Sequence, residues 1–391
     1  MFGSIYVGLS GLNAYSRGLQ QVSNNVTNLN SQGFKASTVS FSDLFGTQGN
    51  GGLSYSAGEG QAGRGVKNGE TQINLAQGEL RQTDRDLDLA IDGSGFMMLM
   101  RGDEVAYTRT GSFEVDKDGY IVLSGTEYRL ATLDASGHPV SLSVDGSRSS
   151  APQATTKVTF SDNLSSSATS FGVSDIKVID KNGGEHVWKV KFDKDTTATG
   201  QWIVTVTDDK AATIGTQTLK FVGGSVDPTT TKLSFSDAIS GLTVDFDVSG
   251  VTSFSAGDVS TLRASAVDGY KLGTITSVTV NADGKLEIGY SNAQKKQIGA
   301  VAIADFRDPQ ALKQRSGGLF TDSGTAQRSL LTSADSRVGK IVSRRLEASN
   351  VDLSKEFGDL ILIQRGFQAS SQIISVSNDM IQQLFGIRGQ G

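Results

Sequence analysis

The sequence predicts a mainly β chain with α-helical termini. The N- and C-terminal helices are expected to pair as a coiled coil. They carry a β-rich domain into which a second β-sandwich or barrel domain is inserted. Three observations predict this. Apolar residues recur every seven positions at both ends of the chain. Between the ends, short apolar runs alternate with turn pairs such as Asp118-Gly119 and Asp283-Gly284. One internal block alternates more cleanly than the β sequence on either side of it.

In the C-terminal stretch, Leu353, Leu360, Phe367, Ile374 and Ile381 are seven apart, and a second line runs through Phe357, Ile361, Ile363 and Leu384. This makes one apolar stripe on a helix, with the period of a coiled-coil seam. Burying each large apolar side chain is worth roughly 1.5–3 kcal/mol, so the stripe needs a partner. The matching stripe is at the other end. Ile5, Leu12, Leu19 and Val26 are seven apart, as are Tyr15, Val22 and Leu29. The two ends are therefore expected to pack on each other and to hold the middle as a lateral lobe.

The first helix is also oddly uncharged. Between Met1 and Gly33 the only charged side chain is Arg17. A helix facing water usually carries Glu and Lys pairs. An uncharged polar surface suits a helix enclosed by other copies of itself. The alternative is a helix buried within one domain, and so many Asn and Gln residues would make a poor core.

At 391 residues the chain is long enough for two or three domains. Its net charge is −5, with acids and bases mixed along the middle. No basic cluster suggests nucleic acid. There is no Cys, so disulfides and thiolate metal sites are excluded. No apolar run is long enough for a membrane span, and the N-terminus does not read as a Sec-type signal peptide.

Taken in order, residues 1–33 and 346–391 are the terminal helical assembly domain. Residues 34–72 are an extended connector, whose Gly46 to Gly65 part is rich in Gly, Ser and Gln. Residues 73–146 and 267–345 form the β-rich core domain. There the Asp118-Gly119 and Asp283-Gly284 pairs signal hairpins. Residues 147–266 form the inserted β domain. Trp188, Val190 and Phe192 alternate with Lys189 and Lys191, and Leu242, Val244, Phe246 and Val248 with Thr243, Asp245 and Asp247. These read as half-buried strands of a sandwich or barrel.

Little catalytic chemistry survives inspection. The two histidines, His138 and His186, are far apart and lack a surrounding acid–nucleophile frame. Asp116, Asp118 and Gly119 faintly suggest a calcium loop without its later bidentate acid. Gly93-Ser-Gly95 lacks the Lys-Ser/Thr pair of a phosphate loop. No catalytic residue, cofactor site or metal site is assigned.

The stretch Ser23-Asn-Asn-Val-Thr-Asn-Leu-Asn-Ser-Gln-Gly-Phe-Lys35 resembles the N-terminal signature of bacterial flagellar rod and hook proteins. Leu87-Asp-Leu-Ala-Ile-Asp-Gly-Ser-Gly-Phe96 and Tyr107-Thr-Arg-Thr-Gly-Ser-Phe113 are similar to that family's β-core motifs. Tyr290-Ser-Asn292 is similar to another, with Ala293 where Gly is usual. Ser349-Asn-Val-Asp-Leu353 and Gln364-Arg-Gly-Phe-Gln368 match its C-terminal signature, with Gly366 replacing the usual Ala. The long insertion points to the hook branch of the family.

The resemblance implies a subunit exported unfolded by the flagellar export apparatus, without a cleaved signal peptide. Its place would be outside the cell, in a curved flexible tube that passes motor torque to the filament. The implied partners are further copies of the chain, a hook cap protein, the distal rod and the hook–filament junction proteins. No nucleic acid and no membrane insertion are expected. The expected assembly interface comprises Ile5, Leu12, Leu19, Val22, Asn25, Val26, Asn28 and Leu29 in the first helix. At the C-terminal end it comprises Asn350, Leu353, Leu360, Gln364, Phe367, Ile374, Ile381 and Leu384. The rival readings are a distal rod-type protein of the same family, a secreted glycan-binding adhesin presenting Trp188 or Trp202, and an enzyme.

Overall fold

In a computed structural model the described residues are 2–43, 65–238 and 240–388. The chain forms two compact units. The first holds Met1–Asp145, Val278–Glu287 and Gln297–Gly391. The second holds Gly146–Ser277 and Ile288–Lys296.

The first unit is built on two helices, α1 (Phe2–Thr27) and α2 (Leu353–Arg388). Asp352 caps α2: its carboxylate accepts the backbone N–H groups of Ser354 and Lys355 at 2.9 and 3.3 Å, satisfying donors the helix leaves unpaired. Beside the helices, β1 (Ser37–Asp43) and β2 (Val66–Ile73) pair antiparallel, Ser37 opposite Ile73 and Asp43 opposite Val66. The stretch expected as an extended connector thus has paired strands at its described ends. Of Gly46 to Gly65, only Gly65 lies within the described residues.

The β core of this unit has two apolar clusters. The strand Phe96–Arg101 separates them: Met97 and Leu99 enter one, Phe96 and Met98 the other. That explains its unbroken apolar run, since a strand buried on both faces need not alternate. The first cluster is closed by Leu89, Ile91, Phe113, Ile303 and Ile341, the second by Tyr107, Phe306 and Phe320. The Asp118-Gly119 turn joins paired strands Thr110–Val115 and Ile121–Leu123, with Gly119 at φ +76°.

The second unit is a nine-stranded, barrel-like sheet. It is antiparallel apart from one parallel pairing, Lys157–Asn163 with Leu242–Thr252. Its alternating residues face inward as the sequence pattern requires. Trp188, Phe192, Trp202, Val204, Val244 and Phe246 are fully buried. Burial of Trp188 and Trp202 removes the aromatic platform that the glycan-binding reading needed. The tip Ile288–Lys296 is tied into this unit: the Tyr290 hydroxyl donates to the Ser147 carbonyl at 2.7 Å and Asn292 Nδ2 to that of Lys271 at 2.9 Å.

Candidate assembly surface

The helices α1 and α2 pack antiparallel in a repeating register. Ser4 Oγ meets Ser377 Oγ at 3.1 Å. One heptad on, a Cβ added to Gly11 would stand 2.5 Å from Ser370 Oγ. At the next, one added to Gly18 would stand 3.1 Å from Ile363 Cδ1. At the last, Asn25 Nδ2 donates to Glu356 Oε1 at 3.0 Å. Each step of seven along α1 is answered by a step of seven back along α2. Gly8, close to Ile374 and the Ser370 carbonyl, tightens the same seam. Small residues let the backbones approach, so the contact rests on fit rather than on large side chains.

This seam is only partly the one the apolar series predicted: it uses Ile363 and Ile374 of the predicted lines, but otherwise small and polar residues. On α2 the line facing α1 is Glu356, Ile363, Ser370 and Ser377, all buried. Of the expected line of Leu353, Leu360, Phe367, Ile374 and Ile381, Ile374 meets α1 at Gly8. Leu353 and Phe367 are exposed, and Leu360, Ile374 and Ile381 half-buried. On α1, Val22 and Asn25 are buried, Leu19 is exposed, and Ile5, Leu12 and Val26 are half-buried; Asn28 and Leu29, expected in the helix, lie half-buried in the turn that follows it. Gln364 is exposed and Asn350 half-buried, while the Leu384 side chain lies outside the described residues. A heptad of small and polar residues (Ser4, Gly11, Gly18, Asn25) was legible as spacing but carries no hydrophobic signal.

Many of the large apolar side chains of α2 therefore remain at the surface. Leu362 is 66% exposed, and Phe357, Ile361 and Met380 are each 50% exposed. Ile373 and Val376 join them, as do Tyr6 and Leu9 of α1.

Beneath the helices a buried polar junction fixes how the two chain ends meet. Gly33, at φ +66°, turns the chain after α1, and its N–H donates to the Glu347 carbonyl at 2.9 Å. Lys35 is fully buried; its ammonium donates to Glu347 Oε1 at 2.5 Å and to the Ala76 carbonyl at 2.7 Å. Arg109 Nε donates to Glu347 Oε2 at 3.0 Å, and its other nitrogens donate to the carbonyls of Gly95 and Gly93. Gly78 N–H completes the shell of Glu347 at 2.8 Å. Asn350 accepts from Ala36 N–H at 2.8 Å and donates to the carbonyls of Asn74 and Ala76. Asn25 accepts from Ser37 N–H at 3.1 Å. Burial pulls the Lys35 ammonium below its usual value, against the opposing pull of Glu347. Glu356 is pushed up, chiefly by burial and further by Asp359, while the Asn25 hydrogen bond works the other way.

No group of three or more His, Asp or Glu residues arranged for a metal ion occurs among the described residues. Asp116 instead accepts the Tyr120 N–H at 2.7 Å, closing its hairpin. His138 is exposed, and His186 pairs with Asp180 at 3.0 Å.

Comparison with known proteins places this architecture. Residues 90–165 match the family described as flagellar hook protein FlgE/F/G D1 domain. Residues 147–327 match the flagellar basal body protein FlaE D2 domain, and 342–387 the flagellar basal body rod FlgEFG protein C-terminal family. The class is thus that of the flagellar rod and hook proteins. Among curated relatives, the flagellar hook protein FlgE of Salmonella typhimurium strain LT2 is 30% identical over 417 residues, covering 97% of this chain and 98% of its own. That of Escherichia coli strain K12 is 29% identical, covering 97% and 98%. That of Treponema pallidum strain Nichols is 26% identical, covering 99% and 100%. The chain belongs to the flagellar hook protein family.

Proposed function

We propose that the chain is the self-assembling structural subunit of the hook, forming a curved flexible tube that transmits motor torque to the filament. The observation that carries this reading is the apolar surface of α2 left uncovered by α1, with Phe357, Ile361, Leu362 and Met380 half or more exposed. Large apolar side chains exposed in this number along one helix of a folded chain mark an interaction surface. Burying each such side chain in a neighbour stabilises assembly by roughly 1.5–3 kcal/mol. Of the terminal residues named from the sequence, those the helix pair leaves at the surface, such as Leu19, Leu353, Gln364 and Phe367, are then shared between copies. The helix pair supplies cohesion along the inner wall, while the mixed-charge second unit slides between neighbours at little cost. The hook cap protein, distal rod, hook–filament junction proteins and export apparatus follow as partners. The subunit is exported to the cell exterior and acts as a structural part rather than a catalyst.

Negative-stain electron microscopy of the purified chain under polymerising conditions tests the reading. Curved tubes from the natural chain, lost in a Phe357→Ser, Leu362→Ser double variant that keeps its monomer fold, support it. Straight tubes favour a rod-type subunit, and a chain that never assembles when seeded with hook fragments overturns it.

A further inference from the structure

Two hollows flank α1, and their chemistry is opposite. One, of about 390 Å³, lies between α1 and β2 and is lined by Tyr6, Leu9, Asn13, Arg17 and Lys67. The other, of about 440 Å³, lies between α1, β1 and α2 and is lined by Gln21, Phe41, Glu356, Asp359 and Leu362. No α1 residue lines both. Arg17 and Lys67 are exposed and make no ion pair among the described residues. Asp359 likewise has no cationic partner there, and Leu362 forms an apolar wall beside it.

We propose that these hollows are the two halves of one contact between copies: the acidic hollow of one subunit receives the Arg17–Lys67 face of the next. The inference rests on the reading of the chain as a self-assembling subunit. Three features favour a second copy as the occupant. The charges are complementary, and Arg17 is the only charged side chain in the first 33 residues of the chain. The acidic side carries apolar walls suited to the aliphatic stem of an arginine. Finally, two complementary but non-identical patches on one chain define a head-to-tail contact, which builds an open helical polymer instead of a closed dimer. Because both patches open to solvent before assembly, the contact weakens with salt.

The experiment uses the full chain. Arg17→Asp and Asp359→Arg are each expected to raise the critical concentration for polymerisation about tenfold, through like-charge contact. The double variant restores the pair and is expected to return within about threefold of the natural chain. Circular dichroism should stay unchanged in all three, and the monomer Tm should not fall. The chain has no Cys, so a mixture of Arg17→Cys and Asp359→Cys subunits is expected to give disulfide-linked dimers on oxidation of the polymer. Singles that assemble normally, a double that stays defective, or no cross-linked dimer would overturn the contact while natural-chain tubes leave the hook reading standing. If the natural chain forms no tubes, that reading fails, and this contact with it.

Discussion

The ring of Tyr15 lies against the backbone of Gly366, where an added β-carbon would stand 2.3 Å from the ring's Cζ. The ring also packs on Phe41, centroid to centroid at 5.5 Å. The chain carries Gly at a position where the rod and hook signature favours Ala, and it carries the aromatic that needs the space. Gly366→Ala should therefore destabilise the monomer by about 1–3 kcal/mol, although Ala is favoured over Gly in a helix by about 0.8–1 kcal/mol. Tyr15→Leu in the same chain should remove most of the loss. Urea unfolding of the four-member mutant cycle measures this, and additive effects would refute the contact.

Lys35 and Glu347 are separated by more than 300 residues in sequence and by 2.5 Å in space. Lys35→Met removes the cation and leaves Glu347 with Arg109 and one backbone N–H. Breaking a buried pair in this way costs roughly 3–5 kcal/mol. The midpoint in denaturant should fall accordingly, with the slope unchanged. A loss below about 1 kcal/mol would mean that the junction is far wetter than its zero exposure indicates.

Glu356 gives the helix pair a pH dependence. Its folded-state pKa lies above its ordinary value, principally because of burial. The stability it contributes is therefore fully present below the unfolded carboxylate value and is lost as pH rises through the raised folded one. Glu356→Gln should raise the monomer Tm at pH 7–8 and give no gain near pH 4. Equal effects at both pH values would show that the charge is not what burial penalises.

Ala293 sits at φ +60°, where its N–H closes a turn onto the Tyr290 carbonyl at 3.0 Å. A left-handed conformation costs an L-residue roughly 1–2 kcal/mol, and Gly almost nothing. Restoring the Gly usual in the family, by Ala293→Gly, should stabilise the second unit by about 0.5–1 kcal/mol after the entropy of the unfolded Gly is counted. Thermal unfolding reads this directly, and a lower Tm would contradict it.

The acid limit of the second unit should depend on Asp247. Hydrogen bonds from Lys157, at 2.7 Å, and from Ser249 hold its pKa at about 2. Its contribution is present above the ordinary carboxylate value and is lost as pH falls through about 2. Asp247→Asn should make acid unfolding begin at higher pH, by a modest margin because the pair is partly exposed. An unchanged acid transition would remove this role.

Much of the fold was legible in the residues. The alternation around Trp188, Phe192, Val244 and Phe246 fixes which side of each strand turns inward, because successive side chains point to opposite faces. The heptads at both ends are helical in the structure, apart from Leu29, which lies past the end of α1. Beyond Ile363 and Ile374 the seam was missed because hydrophobic spacing reports which residues avoid water in the working state, whichever partner covers them. In a single chain the close approach goes to Gly8, Gly11, Gly18 and Ser370, leaving Leu362 and Phe357 at the surface. The signature at Gly33-Phe-Lys35 was visible as a motif, but its reason was not.

By itself the sequence determined the local structure: helical ends, turn positions set by Gly and Asp, strand faces set by alternation, and one helix with a single charge. These depend on residues a few positions apart. Only the tertiary structure decided that Lys35, Arg109 and Glu347 share one dry site, and that α1 meets α2 along its small residues. Both outcomes depend on which distant groups come together. Burying a charge, or bringing two helix backbones close, becomes stable only when the far side of the contact supplies the matching donor or the matching space.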